Sequence, residues 1–181
     1  MPTTRKRPND NTLSDNLSAE LLQRMYEWMV FTRVLDDRCF KLQRQGRIGF
    51  YAGSAGEEAC QIGTALAMDV KDMVFSSYRQ PGVALSRGTP LQTVFNNLFG
   101  NTEDTCLGRV MPIHYSDRAH GFFTVSSVIG TQIIQAVGFG MASKIKRDSA
   151  VGVTYFGDGA TSENDFHAGM NFAATFKAPT V

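Results

Sequence analysis

The sequence predicts an α/β fold, a three-layer arrangement in which a parallel sheet carries helices on both faces, and three observations lead there. Short apolar runs rich in β-branched and aromatic residues, Met73–Ser76, Phe122–Ser127 and Val151–Phe156, read as buried strands. Longer segments between them carry apolar residues at three- and four-residue steps, the period of a helix. The order helix, helix, strand, helix, strand, helix, strand, helix is that of a parallel sheet covered on both sides. A length of 181 residues suits a single domain, and 43% apolar residues fill a sizeable core.

Residues 1–16 are polar, with Pro2 and Pro8, and are expected to form a disordered tail ahead of a domain over residues 17–181. Leu17 to about Gln45 reads as a long amphipathic helix capped by Ser18, with Leu21, Met25, Trp28, Met29 and Leu35 at helical steps. Arg33, Asp36, Asp37 and Arg38 are expected as solvated or paired charges on its polar face. Gly46 breaks that helix, and Ile48–Ser54 follow as a glycine-punctuated loop. A second helix runs from about Gly56 to Met68, and its dipole accounts for Glu57 and Glu58 at the start. The strand Met73–Ser76 leads to Ser77-Tyr78-Arg79, and Pro90–Phe99 is a helix opened by Thr89-Pro90. Gly100–Gly121 reads as an ordered loop whose His114 and His120 match no metal-ligand spacing. After the strand Phe122–Ser127, a helix from about Thr131 presents Ile133, Ile134, Val137, Met141 and Ile145 on one face. Gly138 and Gly140 allow that helix a close approach, and Lys144, Lys146 and Arg147 suit its negative end.

The chemistry gathers at the end of the third strand, in Gly157-Asp158-Gly159. Thr161 or Ser162 is expected to cap the helix that follows, with Glu163 and Asp165 in its first turn and Pro179 ending it. The turn lies at a strand's carboxyl end, where open parallel sheets bind ligands. Glycines let a ligand approach the backbone, and a helix start offers free N–H groups to phosphate. Asp158 would repel a phosphate set directly against it. Position 162 is serine where a dinucleotide loop has its third glycine, and no Gly-Lys-Ser/Thr follows as a P-loop requires. A divalent cation between carboxylate and diphosphate removes the conflict. A tight turn with a solvated aspartate explains the tripeptide equally well.

Charge and cysteines bound the setting. A net charge of +1 and a pI near 7.7 give no electrostatic case for nucleic acid or an anionic membrane. Cys39, Cys60 and Cys106 are odd in number with no C-x-x-C pair, which fits a reduced compartment. No run is long enough for a transmembrane helix. Arg5-Lys6-Arg7 is followed by Asp10 and Asp15, against a transit peptide, so a cytoplasmic location is favoured.

Several segments in order carry a resemblance. Gly157-Asp158-Gly159 with Asn171-Phe172-Ala173-Ala174 resembles the thiamine-diphosphate motif of the 2-oxo acid dehydrogenase E1 component, α subunit. Arg47–Tyr51, Gly56-Glu57-Glu58-Ala59, Ser77-Tyr78-Arg79, Met111–Tyr115 and Ser126–Gln132 agree with the same family from about Leu21 onward. Met111–Tyr115 and Phe50-Tyr51-Ala52 look more like the branched-chain enzyme than the pyruvate enzyme, which often has histidine where this chain has Ala52.

The resemblance implies a thiamine-diphosphate-binding fold, cut off after the Gly-Asp-Gly strand–helix unit. Family members continue past Val181 to an Asn-Asn pair and a histidine-bearing loop, so the chain is expected to be a fragment or a truncated product. It implies oxidative decarboxylation of a 2-oxo acid, with acyl transfer to lipoylated E2, in an α2β2 heterotetramer with the β subunit. By resemblance, Asp158 is a Mg2+ ligand, and Tyr78, Arg79, Ser127, Ile129, Gly157, Gly159 and Ala160 meet the cofactor, with Gly159 and Ala160 as backbone donors. Ser126, Ser127, Thr131 and Gln132 place several oxygens at one helix start, a set that caps the helix or binds a monovalent cation; the resemblance favours K+, held by Ser126, the Val128 carbonyl, Thr131 and Gln132. Val128 stands where animal branched-chain enzymes carry proline. His114 is expected near the active site. Phe50 and Tyr51 are expected to shape an acyl pocket or to line a hydrophobic core. No glutamate here suits the aminopyrimidine ring, and the family supplies that group from the β subunit. A pyruvate or acetoin dehydrogenase α subunit, or a non-catalytic subunit-interaction module, is the alternative.

Overall fold

The structure, a computed structural model, describes residues 17–181, and the tail expected over residues 1–16 lies outside the described residues. Helix α1 spans Ala19–Arg44 and starts as expected, with Ser18 Oγ accepting from the Leu21 amide at 3.1 Å. Then come α2 (Glu58–Ala67), β1 (Met73–Phe75), α3 (Pro81–Ser86), α4 (Leu91–Phe99), α5 (Thr131–Lys146), β2 (Gly152–Thr154) and α6 (Asn164–Phe176). Single 3-10 turns occupy Arg118–His120 and Asp158–Ser162.

The two strands pair in parallel, with Met73 opposite Gly152 and Phe75 opposite Thr154. One parallel bridge extends the pattern at each edge, Val74 to Phe122 and Gly152 to Thr180. In space the order is therefore residue 122, β1, β2, residue 180. The chain leaves β1 first to one side and then returns to the other, so connections diverge between β1 and β2. A crevice opens at such a switch point.

The expected strand Phe122–Ser127 shrinks to that single bridge. The N–H and C=O of Phe122 are both taken by Asp117, at 2.9 Å each, so only its neighbours reach Val74. Phe123 and Thr124 are then exposed, and the ladder stops.

Helices meet both faces of β2. Gly152 faces α5, where a Cβ would lie 2.5 Å from the Ala136 carbonyl. On the other face Val74, Val153 and Tyr155 join Leu35, Cys39, Leu42 and Ala65 in the main core, and the Tyr155 hydroxyl meets Thr64 Oγ1 at 2.6 Å. Burial pushes the Cys39 thiol up to about 11 and raises the Tyr155 phenol as well.

Several local expectations are corrected. Asp36 is buried rather than solvated, accepting from the Tyr51 hydroxyl at 2.8 Å and the Ser54 amide at 3.0 Å. Arg33 is paired, one of the two expected states, with buried Glu58, joining α1 to α2 and holding that carboxyl below the usual range. Pro90 is the residue before α4, not its first, and the Thr89 hydroxyl is buried without a partner. Neither Thr161 nor Ser162 caps α6; Thr161 Oγ1 donates back to the Asp158 carbonyl at 2.7 Å, and Glu163 stands at the cap. Gly140 does allow contact, with the Pro179 carbonyl, but Gly138 faces open space. Ile133 and Val137 are buried, whereas Ile134 and Ile145 are exposed. Helix α3, six residues all buried, was not foreseen, because six residues are too few to show a period.

Candidate functional site

A cavity of about 640 Å3 opens at the crevice between the strand ends, a volume typical of small-molecule sites. Beyond β1, Ser77, Tyr78, Arg79 and Gln80 form one wall. Thr154 to Ala160 form another, Glu57, Cys60 and Gln61 a third, and Ser126, Ser127, Val128, Ile129 and Gln132 close it. Most of the expected site residues are thus brought together from four separate stretches of chain.

Gly157, Asp158 and Gly159 form the exposed lip. A Cβ at Gly157 or Gly159 would meet nothing within 4 Å, and neither has a positive φ. Neither packing nor backbone conformation in this chain calls for glycine there. Asp158 directs an exposed carboxylate beside them, and among the described residues its oxygens accept no hydrogen bond from another side chain. Thr154 also lines the cavity, and among the described residues its Oγ1 is buried without a partner. An anion-and-cation ligand fits this donor set: room at the glycines, one carboxylate for a hard cation, and an unused hydroxyl. The Ala160 amide, expected as a ligand donor, is already engaged with the Gly157 carbonyl at 3.0 Å, because the turn is 3-10 rather than open.

Opposite stands Arg79. Its Nη1 donates to the Gly53 carbonyl at 2.7 Å, and its guanidinium lies 5.6 Å from the centre of the Tyr78 ring. Arg79 lines the cavity, and its guanidinium carries further N–H donors beyond the one spent on Gly53. Tyr78 stacks on His114, with ring centres 5.9 Å apart. His114 Nε2 in turn meets Ser127 Oγ at 2.6 Å, so His114, expected near the site, touches two residues that line the cavity.

At the start of α5, Gln132 Nε2 donates to the Tyr155 carbonyl at 3.0 Å, fixing the amide so that Oε1 points elsewhere. Ser126 Oγ accepts from the Val128 amide at 3.1 Å. Gly130, at φ +90°, begins the helix without a side-chain cap, so capping does not explain Ser126 or Thr131. Thr131 does not line the cavity. Among the described residues, no three His, Cys, Asp or Glu side chains gather to hold a metal.

Phe50 and Tyr51 do not line this cavity. Tyr51 packs against the core with its hydroxyl on Asp36, and Phe50 is exposed; the core explanation holds for Tyr51. Sequence reasoning missed a polar frame behind the wall. Gln80 Oε1 accepts from Ser76 Oγ at 2.9 Å and Ser77 Oγ at 2.7 Å, while its Nε2 donates to Glu57 at 3.0 Å. Gln61 donates to the Arg79 carbonyl at 2.9 Å and accepts from the Gly82 amide at 3.0 Å. The one available signal was the i, i+4 spacing of Glu57, the residue before α2, and Gln61 within it.

Comparison with known proteins agrees with this geometry. Residues 26–181 match the family model described as Dehydrogenase E1 component. The chain is 49% identical over 165 residues to 2-oxoisovalerate dehydrogenase subunit alpha 1, mitochondrial, of Arabidopsis thaliana, covering 91% of this chain and 35% of that protein. It is 42% identical over 166 residues to the mitochondrial alpha subunit of Homo sapiens, covering 92% and 37%. With the Caenorhabditis elegans subunit it shares 40% over 173 residues, covering 95% and 40%. The chain thus spans 35–40% of the length of these relatives. Their names place them in mitochondria and lend no support to the cytoplasmic preference; no helix of the described residues is long and apolar enough to cross a membrane. The match over nearly the whole chain, with the cavity where such a sheet binds its ligand, shows that the chain belongs to the dehydrogenase E1 component family.

Proposed function

We propose that the chain supplies the diphosphate- and metal-binding half of a thiamine-diphosphate site in the α subunit of a branched-chain 2-oxo acid dehydrogenase E1. The observation that carries this is the Asp158 carboxylate between two glycines that nothing among the described residues requires. In this reading the fold is the three-layer thiamine-diphosphate type, over residues 17–181. Bound thiamine diphosphate supplies the electron sink that lets CO2 leave a 2-oxo acid.

This chain's own residues bind and orient. Asp158 holds Mg2+, whose positive charge admits the diphosphate that the bare carboxylate would repel. Gly157 and Gly159 leave room for it, Arg79 and Tyr78 bind its oxygens, and Ser127 with the Ile129 backbone flanks it. Gln132 Oε1, Ser126, Thr131 and the Val128 carbonyl suit a K+ ion that stiffens the loop ahead of α5. Assembly with a β subunit into an α2β2 heterotetramer, and delivery of the acyl group to lipoylated E2, complete the reaction. Exposed apolar residues support a partner chain: Tyr26 and Val34 on α1 and Met170, Phe172 and Phe176 on α6.

Calorimetry of thiamine diphosphate with Mg2+, on the full-length α chain assembled with β, tests the reading. Asp158→Ala is expected to abolish Mg2+-dependent binding; wild-type affinity in that variant refutes it. Turnover of 2-oxoisovalerate is expected to exceed that of pyruvate and acetoin.

A further inference from the structure

We infer that His114 is a positioning residue for the diphosphate end of this site, acting by fixing the hydroxyl of Ser127. The inference rests on the proposed diphosphate reading and adds a residue to it. Five features of the Met111–Tyr115 turn point the same way.

Ile113, immediately before His114, is buried and sits at φ +66°. A β-branched residue in the left-handed region is strained, and such strain persists where the surrounding structure enforces it. Its effect is to fold the chain so that the His114 ring returns over its own turn. Nδ1 lies 2.9 Å from the Pro112 carbonyl, which can only accept, so the Nδ1 position carries the hydrogen. In the neutral ring Nε2 is then an acceptor, and Ser127 Oγ lies 2.6 Å from it. The ring is 3% exposed and is held flat against Tyr78, so it has little freedom to turn away. Both residues it touches, Tyr78 and Ser127, line the cavity.

Ser127 itself is exposed, and among the described residues its hydroxyl has only a long contact to Met111 Sδ, 3.7 Å, besides His114. An exposed serine hydroxyl rotates among three positions. The short bond to Nε2 selects one of them and leaves the oxygen of this cavity-lining residue as an acceptor, matched to the hydrogens of water carried by a cation rather than to bare phosphate oxygens. His114 therefore places a group that touches the ligand while being screened from it.

The test is the dissociation constant of Mg2+–thiamine diphosphate on the full-length α chain assembled with β. His114→Phe keeps a ring against Tyr78 without the hydrogen bond, and is expected to weaken binding about tenfold, the scale of one buried hydrogen bond. His114→Gln places an amide near the Nε2 position and is expected to stay within about threefold of wild type. Ser127→Ala should also cost about tenfold, and His114→Phe with Ser127→Ala together no more than either alone, as for residues acting through one contact. Independent, multiplying losses overturn the inference, as does wild-type binding by His114→Phe. Should that variant fail to fold, the glutamine variant decides: about tenfold weakening there overturns it. Failure of the wild-type protein to bind at all overturns instead the diphosphate reading, so the two failures are distinct.

Discussion

Two places in this molecule set a glycine beside an aspartate and are opposite in structure: in one the aspartate reaches over from α1, in the other it lies between the glycines. In the turn Tyr51–Ser54, buried Asp36 gathers the Tyr51 hydroxyl and the Ser54 amide, and Gly53 is pressed against it. A Cβ at Gly53 would lie 2.5 Å from the Phe40 ring and 2.8 Å from Asp36 Oδ2. In the turn Gly157–Gly159 the carboxylate is exposed and the glycines face open space. One aspartate is satisfied by its own chain; the other is left for something else. The contrast separates a glycine kept for packing from a glycine kept for a ligand.

Substitution breaks or sharpens that contrast. Gly53→Ala is expected to destabilise the chain by about 3 kcal/mol, since both the ring and the carboxylate must move. Gly157→Ala and Gly159→Ala are expected to stay within about 0.5 kcal/mol, all read by urea unfolding. A large loss at Gly157 would mean that its packing role had been overlooked. The aspartates come next. Asp36→Ala strands buried donors and is expected to cost about 2 kcal/mol, whereas Asp158→Ala leaves stability unchanged and removes metal-dependent ligand binding.

Cysteine reactivity extends the comparison to the region around each turn. Cys39, three residues after Asp36 on α1, is fully buried, and burial pushes its thiol up to about 11. Cys60 is exposed and lines the cavity. Iodoacetamide is expected to label Cys60 in the native assembled protein and spare Cys39, and Mg2+–thiamine diphosphate is expected to slow labelling of Cys60 about tenfold through occupancy of the site.

The smallest effect is in acid. The Arg33 hydrogen bond, followed by the Gly56 amide and the helix start, depresses Glu58 below the ordinary 4.5. A carboxyl lowered on folding contributes stability that is complete above about pH 4.5 and lost as pH falls through the depressed folded value. Glu58→Gln is therefore expected to flatten the acid limb of a pH–stability curve and leave Asp158 binding untouched. An unchanged limb would show that the pair contributes nothing on folding.

Much of this was legible in the residues themselves. Periodicity located α1, α2, α4, α5 and α6 within a few residues, since an amphipathic face repeats over enough turns to be read. The Gly-Asp-Gly turn, Tyr78-Arg79 and the Ser126–Gln132 stretch were each visible as strand ends or helix starts, and the cavity joins them. The losses were of another kind. Asp36 and Gln80 look like surface polar residues until the partners that satisfy them, 15 or more positions away for Asp36 and 23 away for Glu57, are folded against them. The strand at Phe122 was overstated because Asp117 takes its hydrogen-bonding groups, a competition that no local pattern shows.

The chain's own order of residues determined which segments are helix or strand and which turns lack side chains, because propensity, spacing and backbone freedom act within a few residues. Tertiary structure alone decided which aspartate is filled and which is open, where Ile113 aims His114, and that Tyr51 belongs to the core. Those depend on groups brought together across the sheet, and burial assigns a polar side chain its role only once its neighbours are in place.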